Sequence, residues 1–71
     1  MRVYVNDPTI RDRLVEALVE SGCIPAAVGH TTLEVIHPEA ADADEARREL
    51  VYFLRAWQVA NPDADLTYVA A

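Results

Sequence analysis

Seventy-one residues, 52% hydrophobic and 25% charged, describe a single small globular domain over residues 1–71 and exclude a disordered or fibrous chain. A net charge of −6, with six basic side chains against twelve acidic ones, argues against nucleic acid, whose binding depends on concentrated positive charge, and disfavours an anionic membrane surface. One cysteine permits neither an internal disulfide nor a cysteine-rich metal site.

Met1-Arg2 leads straight into Val3-Tyr4-Val5 without a signal-peptide pattern, and no apolar run nears the ~20 residues of a membrane span. The cytoplasm is therefore the expected compartment. A domain this small buries only about 60% of the surface its unfolded chain exposes, so association with a second chain is a natural supplement to its core.

Taken in chain order, Met1 to Val5 sets Arg2 and Tyr4 against Val3 and Val5, a period of two that predicts a short strand with one buried face. Asn6-Asp7-Pro8 stops it. Asp7 suits an N-cap and Pro8 the first helical position, where its missing N–H goes unnoticed. Ile10, Leu14, Ala17, Leu18 and Ser21 form the stripe of the helix that follows. Val15 and Val19 widen the stripe, and Gly22 offers a left-handed C-cap.

Cys23 to Val28 and Thr32 to His37 then read as a hairpin around Gly29-His30-Thr31. Asp42, with Glu45 three positions on, approximates the capping box of a second helix, whose stripe is Ala43, Ala46, Leu50, Phe53, Leu54, Trp57 and Ala60. Asn61-Pro62 ends it, because proline pushes its predecessor out of helical space and carries no N–H. Leu66, Tyr68 and Ala70 alternate with Asp65, Thr67 and Val69 as the last strand.

The order βαββαβ predicts an α+β, ferredoxin-like domain: a four-stranded antiparallel sheet of order 4-1-3-2 with two helices on one face and right-handed crossovers. That order leaves the second strand on an edge, where a proline is tolerated. A three-residue loop pairs Val28 with Thr32, Ala26 with Glu34, Pro25 with Val35 and Ile24 with Ile36. Pro25 then falls at a pair that exchanges no hydrogen bonds. Leu33 and Val35 point into the core. Tyr4, Ile24, Val28, Ile36 and Val69, interrupted by Glu34, make an apolar patch on the open face, and a small domain seldom leaves such a patch in water.

Chemistry-bearing candidates are few. Cys23 and His37 face one another at the open end of the hairpin, where a thiolate beside an imidazolium would make a nucleophile, but no orienting group or oxyanion donor accompanies them. His30 and His37, seven strand positions and about 23 Å apart, cannot share an ion. Glu39, Asp42, Asp44 and Glu45 lack calcium-loop spacing and fit helix capping, and Asp63 and Asp65 fit a turn. No metal or cofactor is expected. Arg48, Tyr52, Arg55 and Val59 form a second line on the second helix that reads as a solvated face, and Trp57 reads as core.

An RNA recognition motif would carry aromatics where this chain has Leu33-Glu34-Val35-Ile36, and small metal-transfer domains would carry paired cysteines near Asn6-Asp7-Pro8-Thr9. Val5-Asn6-Asp7-Pro8-Thr9, followed by Leu14, Leu18, Gly22 and Ile24, resembles the start of ACT-type amino-acid-sensing domains over about a third of the chain. Thr9 departs from the glycine those domains usually carry. The expected function is a non-enzymatic interaction module that forms a homodimer, or binds another protein, through the open face or the hairpin edge. The resemblance implies an alternative, a small-molecule-sensing regulatory domain with ligand held between the Asn6-to-Thr9 loop and a neighbouring subunit.

Overall fold

Alternation along the first strand sends Val3 and Val5 inward, and the same rule sends Leu33 and Val35 inward from the other central strand. The computed structural model describes residues 1–69, so the expected place of Ala70 in the last strand lies outside the described residues. The elements are β1 (Arg2–Val5), α1 (Pro8–Glu20), β2 (Ile24–Ala27), β3 (Thr32–Ile36), α2 (Ala43–Ala60) and β4 (Leu66–Val69). The sheet order is β2-β3-β1-β4, which is the expected order read from the other edge, and all three neighbouring pairs are antiparallel.

The helix boundaries follow from their caps. Asp7 Oδ1 accepts the Ile10 N–H at 3.0 Å with Pro8 in the first turn. At the other end of α1, Gly22 takes φ 90° while its N–H reaches Val19 O and the Cys23 N–H reaches Leu18 O. These are the two bonds of a Schellman turn, and they swing Cys23 back over buried Leu18. Asp42 Oδ1 accepts the Glu45 N–H at 2.8 Å. The reciprocal bond of the box goes one residue further out than expected, because Glu45 Oε2 accepts the Ala41 N–H rather than that of Asp42. Asn61 closes α2 by donating its side-chain N–H to Trp57 O at 2.8 Å.

One core joins both helices to one side of the sheet: Val3, Val5, Leu33, Val35 and Leu66 from the strands meet Ile10, Leu14 and Leu18 of α1 and Leu50 and Leu54 of α2. Phe53, Trp57 and Tyr68 pack half-buried against it. Val19 does not join the stripe as expected, since it lies 59% exposed. At 100° per residue it sits about 140° from the Ile10-Leu14-Leu18 ridge, beyond the reach of the sheet. Ser21 is also exposed, and its Oγ–H donates to Leu18 O at the helix end.

Polar side chains tie the connections down. Asn6 donates to Asp63 O and accepts the Asp65 N–H, both at 3.0 Å, so its amide stitches the turn after β1 to the lead into β4. Arg11 of α1 donates to the carbonyls of Gly29 and His30, pinning the hairpin tip.

Candidate functional site

The sheet register arranges the outward side chains in rows. One row runs Ala26, Glu34, Arg2, Val69 across all four strands. A second runs Thr32, Tyr4, Thr67, with Val28 joined to it by its N–H to Thr32 O at 3.0 Å. Ile24 and Ile36 pair beyond the first row. Tyr4 is 40% exposed, Ile24 and Val28 54%, Ile36 59% and Val69 57%, so each of the five retains substantial contact with water.

The middle of this face carries an ion pair that the sequence reading missed. Arg2 Nε donates to Glu34 Oε2 at 2.9 Å, and that hydrogen bond, with the carboxylate charge behind it, holds the Arg2 guanidinium even more firmly protonated than usual. The patch therefore surrounds a neutralised pair instead of being cut by a bare carboxylate. Nothing local in the sequence signals the pair, because 32 residues separate its members and only the β1–β3 register brings them together.

The hairpin edge is a poorer place for a partner. Ile24, Ala26 and Val28 turn their backbone groups to β3, which leaves Pro25 and Ala27 facing outward, and Pro25 has no N–H to offer. A four-residue edge with a proline is blunted against strand addition.

The remaining candidates are placed as follows. Cys23 is buried, its Sγ 3.5 Å from the Ser21 Oγ whose proton goes to Leu18 O. His37 instead bonds across to α2 through Nε2 and Glu49 Oε2. A carboxylate only accepts, so the proton of that bond sits on Nε2. Nδ1 is buried without a partner, and no hydrogen bond joins His37 to Cys23, so the structure does not bring the two into a working dyad. Among the described residues no three His, Cys, Asp or Glu side chains converge as metal ligands. The Asn6-to-Thr9 turn spends its polar groups internally: Asn6 on the backbone of Asp63 and Asp65, and Asp7 on α1.

A groove of about 240 Å³ runs between the helices beside Trp57. Arg13 crosses it with its guanidinium 5.8 Å from the Trp57 ring centroid and forks onto Asp63 at 2.8 and 3.0 Å and Asn61 at 2.9 Å. That arrangement is a strut between α1 and the α2–β4 connection, and the Arg13 hydrogen bonds hold the Asp63 carboxyl below its ordinary range. Trp57 is half-buried against the core, so it serves as core on one side and as Arg13 platform on the other. Among the described residues no helix is long and apolar enough to cross a membrane.

Compared with family models, with curated proteins and with solved structures, the chain matches none.

Proposed function

We propose that this ferredoxin-like domain is a self-association module whose open sheet face packs on the same face of a second copy about a two-fold axis. The observation that carries the reading is the asymmetry of the sheet. One side is consumed by the core, while the other exposes Tyr4, Ile24, Val28, Ile36 and Val69 around the Arg2–Glu34 pair. Exposed clusters of this kind need a cover, and a closed two-fold contact is the commonest one for identical chains.

The central ion pair suits a two-fold axis, since Arg2 of each copy meets Glu34 of its own chain and of the other with no charge left over. The blunted β2 edge favours the face over edge pairing.

Sedimentation equilibrium of the native chain and of Ile36→Asp tests the reading. The native 7.9 kDa chain should approach twice its mass, and the variant should remain a folded monomer. A native monomer at about 50 µM, which corresponds to association weaker than ~6 kcal/mol, overturns the proposal, as does an Ile36→Asp protein of unchanged mass.

A further inference from the structure

All six basic residues of this acidic chain are arginines, and three of them, Arg47, Arg48 and Arg55, stand on the outer side of α2. They line a shallow groove of about 410 Å³ together with Val51 and Tyr52. Arg48, Tyr52, Arg55 and Val59 follow one another at spacings of four, three and four, directly opposite the Leu50-Leu54 ridge that faces the core. Tyr52 is 79% exposed and Val59 84%, more than any residue of the sheet-face patch.

The arginines of this stripe differ from the other three in their company. Arg2, Arg11 and Arg13 each hold a carboxylate at 2.8–3.0 Å. Arg47 reaches Asp44 only at 3.8 Å, and Arg48 and Arg55 make no ion pair among the described residues. Seven of the chain's twelve acids are engaged elsewhere: Glu34, Asp12, Asp63 and Glu49 hold basic side chains, and Asp7, Asp42 and Glu45 close helix starts. Arg48 and Arg55 therefore stand open to a carboxylate of another chain.

We infer that the outer face of α2 is a docking surface for an acidic amphipathic helix of another protein. Arg48 and Arg55 are two turns, about 10.5 Å, apart, which matches carboxylates seven residues apart on a partner helix. Between them Tyr52 and Val51 give that helix an apolar seat, and Arg side chains present the planar fork that carboxylates fit. A peptide suits this stripe better than a polyphosphate chain does, because Val51 and Tyr52 between the arginines offer an apolar and aromatic floor that a phosphate chain cannot use. The surface lies on the side of the domain away from the open sheet face, so it is independent of the self-association proposed above. A dimer through the sheet would present two such stripes.

Fluorescence anisotropy with a labelled 14-residue peptide, glutamate at seven-residue spacing flanking a leucine stripe, tests the inference. The native chain should bind it. Arg48→Glu with Arg55→Glu should weaken binding by at least about tenfold, and so should a rise in salt, since the contacts are exposed charges. Tyr52→Ala, which leaves the charge intact, should also weaken it. The monomeric Ile36→Asp protein should bind as the native chain does, which separates this surface from the sheet face. Failure to bind the peptide, undiminished binding by the double-arginine variant, or tighter binding of a charge-matched single-stranded oligonucleotide overturns it.

Discussion

Leu33 and Ile36 sit three residues apart on β3 and face opposite sides of the sheet, so truncating each to alanine reads the register directly. Leu33 is fully buried between Val3 of β1 and Ala27 of β2, whereas Ile36 is 59% exposed. Leu→Ala at a closed core position costs about 2–5 kcal/mol, the lost transfer energy plus the cavity left behind. A domain of this length has a total stability of about 4–11 kcal/mol, so Leu33→Ala removes a large share of it. Taking ~3 kcal/mol, the melting temperature of a chain this small falls by about 12–24 °C. Ile36→Ala loses no core contact, and strand preference limits its cost to below ~1 kcal/mol in the monomer. Thermal and urea unfolding of both variants, followed by far-UV circular dichroism at the lowest workable concentration, measures the contrast. At higher concentration the proposed association should narrow the gap, because Ile36→Ala would then also weaken the dimer. Equal costs for the two at low concentration, or a Leu33→Ala cost under ~1 kcal/mol, would refute the register, since a slip of one residue exchanges the two faces.

The Arg13–Asp63 strut has a defined pH signature. Its hydrogen bonds place the folded carboxyl of Asp63 below its ordinary value of 3.8. The contribution is thus present above that value and is lost as pH falls through the lower, folded one. Arg13→Gln should therefore flatten the acid limb of a stability-against-pH curve below pH 4 and leave the neutral region nearly parallel to the native one. An unchanged acid limb would remove the strut from the account. Cys23, buried under the Schellman turn, should react with iodoacetamide at neutral pH at least about tenfold more slowly than the same thiol in denaturant, because labelling waits on local opening. Native labelling as fast as in the unfolded chain would reopen a reactive role for this thiol.

Much of the fold was legible because its signals are local. Asp7 with Pro8, Asp42 with Glu45, and Gly22 each terminate a helix through neighbours within a few positions, and the structure realises all three. The pairing of Ile24 with Ile36 and of Pro25 with Val35 follows from a loop whose length fixes the register, so it too required no knowledge of the rest of the chain. Val19 failed as a stripe residue because hydropathy alone does not say how far round a helix the sheet extends.

The site was legible in composition and not in arrangement. Alternation alone assigns Tyr4, Ile24, Val28, Ile36 and Val69 to one face, since a strand's period of two is a property of its backbone. What occupies the centre of that face depends on which strand lies beside β1, and only tertiary pairing set Arg2 against Glu34. The same holds for Asn6 against Asp63, Arg13 against Asp63, and His37 against Glu49, joined across 57, 50 and 12 residues. A short-range pattern of apolar and polar residues determines which side of each element is wet. Long-range polar partners are chosen only once the core has closed, because the burial that brings the elements together is non-directional and leaves the specific pairing to geometry.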